Sequence, residues 1–182
     1  MLKSKIRKEI LKIREIKNKG KIHIRFKKIY NLLKNVKKLK KKIIGGYYPV
    51  NFEIDDLEIL REFEKKNFNV ALPVIKKNFT MEFFQCPLNG TFNINRYGIP
   101  EPINGKKVAP DILLVPLVAF DRNLNRIGYG AGFYDRIIKS LKKKKNIITI
   151  GLAFHFQEVH SISISEYDQK LDFIVTNKEI LK

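Results

Sequence analysis

Arg126 and Asp135 bracket a stretch in which Gly128, Gly130 and Gly132 alternate with Tyr129 and Ala131, followed by Phe133 and Tyr134. These residue types suit a polyphosphate. Glycine has no Cβ, so alternating glycines let backbone N–H groups come close to a ligand. A guanidinium forks onto phosphate oxygens, and an aspartate can hold a magnesium ion that bridges them. The spacing of Ile137, Ile138 and Leu141 predicts a helix just beyond, whose N-terminus would add partial positive charge. The pattern matches neither common phosphate fingerprint: the spacing is not that of dinucleotide folds, and no Gly-Lys-Ser/Thr follows. Spacing alone leaves two readings open, a phosphate loop or a bulged hairpin or tight strand-to-helix connection.

Such a loop needs rigid elements to hold it. Leu2, Ile6, Ile10 and Ile13 recur at helical spacing, as do Phe26, Ile29, Leu33 and Val36. Residues 40–48 read as a strand ended by Pro49, and Asp55 or Asp56 can cap a helix carrying Leu57, Leu60 and Phe63. Residues 70–72, 81–86, 112–115, 147–152 and 173–175 are further strands by their apolar and aromatic content. This alternation predicts an α/β fold: a single-domain, three-layer α/β/α sandwich with a mostly parallel, mixed sheet, Rossmann-like, over residues 1–182. No internal repeat or biased linker divides it. In open α/β sheets ligands sit beyond the carboxyl ends of the strands. Tyr48, the glycine stretch after Val115, and Ala153-Phe154 all follow strands, so they can converge there. Lys3 and Arg7 share one face of the first helix.

A chain of 182 residues suits one domain, burying about 70% of its unfolded surface. Its one cysteine, Cys86, excludes an internal disulfide and reads as a small buried residue. The basic N-terminus lacks the apolar core of a signal peptide, and no apolar run approaches the ~20 residues of a membrane span. A cytoplasmic protein is expected. The net charge of +19 would attract nucleic acid or an anionic membrane surface. The lysines fall in blocks, however: Lys37, Lys38, Lys40, Lys41 and Lys42, then residues 142–145. At helix ends such blocks favour the dipole and read as solvated faces, so no specific nucleic-acid or membrane partner is expected. His23, His155 and His160 show no metal-ligand spacing.

The run Arg126-x-Gly128-x-Gly130-x-Gly132-Phe133-Tyr134-Asp135, after Val115-Pro116 and Ala119-Phe120-Asp121, resembles the 5-formyltetrahydrofolate cyclo-ligase family, also called methenyltetrahydrofolate synthetases. Other segments resemble that family in the same order. Lys3 and Arg7 match its Lys-x-x-x-Arg pair, and Tyr47-Tyr48-Pro49 with Glu53 its strand-end and glutamate motif. Residues 97–102, from Tyr97 through Gly98-Ile99-Pro100-Glu101 to Pro102, match its aromatic-Gly-Ile-Pro-Glu-Pro segment. Gly151, Ala153, Phe154 and Gln157 are similar to a later motif, and Asp168 with Leu171-Asp172 to the last. Ala131 stands where relatives often carry Gly or Lys, Phe133 where Tyr is usual, and Leu117-Val118 where Gly-Leu is common.

The resemblance implies ATP-driven conversion of 5-formyltetrahydrofolate, its polyglutamylated form included, to 5,10-methenyltetrahydrofolate by a monomer using Mg2+. It implies ATP binding by Lys3, Arg7, Arg126, Ile127, Gly128, Tyr129, Gly130, Ala131, Gly132, Phe133 and Tyr134. Substrate binding falls to Tyr48, Glu53, Tyr97, Tyr129, Gly130, Ala131, Gly132 and Phe133. Arg126 and Asp135 are the implied catalytic pair and Asp135 and Asp168 the metal ligands, with Asp172 behind them. Two other classes stay open: a relative that binds folate or nucleotide without catalysis, and a basic nucleic-acid binder.

Overall fold

The computed structural model describes residues 2–17 and 22–182. Along the chain run α1 (Lys3–Lys17), α2 (Phe26–Leu33), β1 (Ile43–Gly45), α3 (Asp56–Lys65), β2 (Asn69–Ile75), β3 (Met81–Gln85), β4 (Phe92–Ile94), β5 (Pro100–Pro102), β6 (Lys106–Val108), β7 (Ile112–Pro116), β8 (Ala119–Phe120), β9 (Arg126–Ile127), α4 (Phe133–Lys144), β10 (Ile148–Ala153), β11 (Phe173–Thr176) and β12 (Ile180–Leu181). Among the described residues the central sheet has eight strands in the order β12-β11-β10-β7-β1-β2-β3-β6. The run β2-β1-β7-β10-β11 is parallel. The strands β3, β6 and β12 join its edges antiparallel. The sheet is therefore mixed and mostly parallel, as the alternation of patterns predicted.

Parallel strands covered on both faces must be apolar on both sides, which is why β7 reads as a continuous apolar run. Ile112 and Leu114 face α2 and α3, packing with Ile29, Leu33, Leu57, Leu60 and Phe63. Leu113 and Val115 face α4, packing with Ile138 and Leu141. These two cores make the three layers. Helix α1 belongs to neither. Its Ile6 and Ile10 pack on Val118, Ala119, Ile127 and Ile162, beside the loops that leave β7. Asp55 caps α3 as expected, accepting a hydrogen bond from the Leu57 N–H at 2.9 Å.

The strand expected over residues 40–48 shrinks to β1. Leu39–Lys41 forms a 3-10 turn with none of its residues buried, and Lys40 reaches over the Phe68 ring, 4.5 Å from its centre. At the other end a Cβ on Gly46 would stand 2.4 Å from Asp56 Oδ2, so the chain approaches α3 there too closely for a side chain. It then leaves the sheet and carries Tyr47 and Tyr48 upward. Pro73 falls in β2 beyond the last residue paired with β1, where its missing N–H costs no ladder bond. The second lysine block does end α4. The first follows α2 at a distance, and Lys42 and Lys145 meet at Asp111, 3.3 and 3.1 Å away.

Several motif residues serve the fold. Buried Asp121 accepts from the N–H groups of Asn123, Asn125 and Ile162, and from Asn125 Nδ2, all at 3.0 Å. It shapes the turn between β8 and β9 that delivers Arg126. Gln157 donates to the carbonyls of Leu117 and Val118 at 2.9 and 2.8 Å and accepts from Phe154 N–H. Asp172 accepts from Thr149 N–H and hydroxyl at 2.8 and 2.6 Å, near the start of β10. That places it at the opposite end of the sheet from the strand termini, so it does not stand behind Asp135 and Asp168. Substituting Asp121→Ala leaves buried N–H donors unpaired and is expected to cost roughly 3 kcal/mol. Chemical denaturation checks this; a loss under about 1 kcal/mol would deny the turn its role.

Candidate active site

From β1 the chain runs through α3 to β2 on one side, and from β7 through α4 to β10 on the other. Strand order reverses between β1 and β7, and such a switch point opens a crevice at the carboxyl ends. A cleft of about 1250 Å³ lies there. Its lining includes Tyr48 and Glu53 after β1, Arg126 and Ile127 of β9, Gly128 through Asp135, Tyr97 from the β4–β5 turn, Lys3 and Arg7 from α1, and Asp168. Every residue singled out from the sequence as a ligand contact or metal ligand thus comes to one place.

The floor is a charge cluster. Arg126 is buried, 6% exposed, and donates from Nη1 and Nη2 to Asp135 Oδ1 at 2.9 Å each. Burial lowers the Arg126 pKa, while Asp135 and Asp168 pull it back up. Lys3 Nζ lies 2.5 Å from Asp168 Oδ2, which also accepts from Ser165 N–H and hydroxyl. Burial raises the Asp168 pKa, but Lys3 and Ser165 outweigh it and hold the carboxyl below its ordinary value. Arg7 Nε donates to the Gly128 carbonyl at 2.8 Å and so sits beneath the glycine loop.

Gly130 and Gly132 adopt φ of +109° and +68°, conformations that strain any residue with a Cβ. Gly132 caps α4 without any side-chain hydrogen bond, so the first N–H groups of that helix remain available to an anion. The loop is a strand-to-helix connection and not a bulged hairpin, and the N-terminus of its helix opens on the cleft. Opposite it, Tyr97 meets Phe133 edge-on at 6.0 Å, and Phe79 flanks Phe133 at 6.1 Å. Tyr48 stands 6.4 Å from Phe92. Tyr97, Phe133 and Tyr48 give the cleft an aromatic wall.

The donor set suits a hard divalent cation. Asp135 uses only Oδ1, towards Arg126 and Gln169 N–H, and Asp168 only Oδ2, so each keeps an oxygen without a hydrogen bond among the described residues. Magnesium commonly takes one or two carboxylates and completes its shell with phosphate oxygens and water. The histidines, set aside on spacing, show one grouping in space: ligand atoms of His155, Glu158 and Glu179 lie within 4.8 Å of one another. Arg122 already pairs with both glutamates, at 2.8 and 3.0 Å.

Glu53 is 7% exposed, with Oε2 accepting from Val50 N–H at 2.9 Å and Oε1 unpartnered among the described residues. Burial pushes its pKa from 4.5 up to about 7, against the pull of Val50, Arg14 and Tyr129. Sequence reasoning missed Arg14, which is 1% exposed. Its signal was available: Ile6, Ile10 and Arg14 follow one another every fourth residue, so a cation occupies the apolar stripe. Arg136 was also missed. It donates to the carbonyls of Phe79 and Ala131 and so ties the aromatic wall to the glycine loop.

A switch-point cleft with a glycine loop, paired charges and an aromatic wall suits a polyphosphate beside a flat organic ligand. Comparison with known proteins agrees. The model of the 5-formyltetrahydrofolate cyclo-ligase family matches residues 1–177. Over 138 residues the chain is 35% identical to the 5-formyltetrahydrofolate cyclo-ligase of Haemophilus influenzae, covering 71% of this chain and 73% of that one. It is 33% identical over 135 residues to the probable 5-formyltetrahydrofolate cyclo-ligase of Schizosaccharomyces pombe, covering 65% and 66%. Its fold is similar to the NMR structure of 5,10-methenyltetrahydrofolate synthetase from Aquifex aeolicus, with a TM-score of 0.80, 28% identity, and coverage of 99% and 92%. The chain belongs to the 5-formyltetrahydrofolate cyclo-ligase family.

The Glu53 environment has a thermodynamic consequence. The native state holds this proton more tightly than the unfolded chain, so the site's contribution is full below about pH 4.5 and is lost as pH rises through about 7. The gap amounts to roughly 3 kcal/mol. Glu53→Gln should therefore raise Tm relative to the unsubstituted protein much more at pH ~8 than at pH ~5. Equal differences at both pH values would contradict the raised pKa.

Proposed function

We propose that this chain converts 5-formyltetrahydrofolate to 5,10-methenyltetrahydrofolate with consumption of ATP and release of ADP and phosphate. The observation that carries this reading is that the motif residues matched to ligand and metal contacts, drawn from α1, β9, the glycine loop and three other loops, line one cleft at the switch point. The formyl oxygen is a poor leaving group, so it first takes the γ-phosphoryl group, with ADP leaving. N10 then attacks the activated carbon, the ring closes, the N10 proton is lost, and phosphate carries the oxygen away.

Phosphoryl transfer asks the protein mainly for positioning and charge neutralisation. Lys3, Arg7 and Arg126 neutralise the triphosphate, and the amides from Gly128 to Gly132 cradle it with Ile127, Tyr129, Ala131, Phe133 and Tyr134 around them. Lys3 and Arg126 pair with Asp168 and Asp135. Asp135 and Asp168 would hold magnesium in the loaded site, where it would neutralise phosphate charge. Tyr48, Tyr97 and Phe133 form the apolar slot for the folate rings, and Glu53 offers Oε1 to a pterin N–H. The reading extends to a cytoplasmic monomer that also accepts polyglutamylated folate. No helix among the described residues is long and apolar enough to cross a membrane.

Purified chain, magnesium-ATP and 5-formyltetrahydrofolate, followed by the near-ultraviolet absorbance of the methenyl product, test the proposal. An ATP-dependent rise that chelating magnesium abolishes is expected. A flat trace with retained ATP binding would identify a binding module instead. Asp135→Ala should lower turnover by at least ~1000-fold, since it leaves Arg126 buried without its partner and removes a metal ligand. Unchanged turnover would remove Asp135 from the chemistry.

A further inference from the structure

Arg14 has no place in the motifs and does not line the cleft, yet it is among the most deeply buried side chains of the described chain. A guanidinium cannot shed its charge in a protein, so burying one is costly unless it is matched. Arg14 Nη1 donates to the Leu117 carbonyl at 3.2 Å, and Nη2 donates to the Tyr129 hydroxyl. Its guanidinium carbon stands 5.7 Å from the centre of the Tyr129 ring, and Nε has no partner among the described residues. Its contact with Tyr129 reaches the middle of the glycine loop, a cleft-lining residue.

The Tyr129 hydroxyl accepts from Arg14, which directs its own proton away from that cation. Glu53 lines the same cleft as Tyr129, and the two groups influence each other's ionisation. Glu53 Oε1 is the unpartnered acceptor in the cleft wall. We propose that Arg14 is a positioning residue for the substrate: reaching in from α1, it holds Tyr129 and, through it, sets Glu53 Oε1 to receive an N–H donor of the folate ring. The inference rests on the reaction proposed above and deepens it by assigning the pterin side of the slot to a relay that begins outside the cleft.

The groups that face Glu53 make the consequence specific. They are Arg14 from α1, Tyr129 from the glycine loop, Tyr47 beyond β1, Asp56 of α3 and Tyr134 of α4. Among these, Arg14 and Tyr129 draw the Glu53 pKa down. Arg14 also acts on Glu53 through its charge, so the variant that separates positioning from charge is Tyr129→Phe, which leaves Arg14 in place.

The test measures kcat/KM for 5-formyltetrahydrofolate against pH, with KM for ATP alongside, in the full chain. Arg14→Met should raise KM for the folate by about 10-fold, leave KM for ATP within about 2-fold, and move the acidic limb of the profile to higher pH. Arg14→Lys, which keeps the charge, should return the limb towards its original position. Tyr129→Phe, which leaves Arg14 in place, should move it as Arg14→Met does and carries the test if that variant is not recovered folded. In a Glu53→Gln background the limb should be absent, and Arg14→Met should find none to move. Both KM values rising together, or an unmoved limb in folded Arg14→Met or Tyr129→Phe, would overturn the inference alone. No turnover by the unsubstituted chain would overturn the proposed reaction and this inference with it.

Discussion

A buried cation must meet an anion or a strong acceptor, and that constraint organises this molecule around Arg126. Its side chain is almost fully enclosed, and both terminal nitrogens converge on Asp135. Asp135 lies in the first turn of α4, where a carboxylate also favours the helix dipole. One ion pair therefore fixes the distance between β9 and α4. The glycine loop is the chain that spans this distance, and Gly130 and Gly132 do so with positive φ.

The same logic repeats at smaller scale on both sides. Lys3 is met by Asp168, and Arg7 by the carbonyl of Gly128. Arg14 is met by Tyr129 and Leu117. Three cations of one helix thus grip three separate parts of the loop system, which explains why α1 packs on Val118, Ala119 and Ile127 and not on the main sheet. The cleft is a place where charges are paired within the protein at short range.

The opposite end of the sheet shows what the high net charge does. The two lysine blocks are brought together by the strand order, with Asp111 between Lys42 and Lys145. Their remaining members are mostly solvent-exposed, as a charged run flanking buried strands tends to be. Evenly apolar strands, helix faces and capping residues account for the fold, and the basic balance is carried at the surface.

Much of this was legible in the residues. The strand cores, the three-layer arrangement and the helix after Gly132 follow from hydrophobic spacing, because burial on one or both faces writes a period into the chain. Motif spelling identified the family and the residues of the cleft. Short edge strands such as β4, β5 and β6 left no such period, since they bury too little to need one. Only the tertiary structure showed β1 stopping at Gly45, Asp121 and Gln157 serving the turns, and Asp172 lying at the wrong end of the sheet. These facts depend on which backbone groups a fold leaves unpaired, and no local pattern records that. Arg14 makes the same division within one residue. Its place on an apolar stripe was visible in the sequence, but its partners, Leu117 and Tyr129, lie more than a hundred residues away. The sequence by itself determined which side chains would be buried together with charge; the tertiary structure decided what each charge would face, because pairing depends on distance in space.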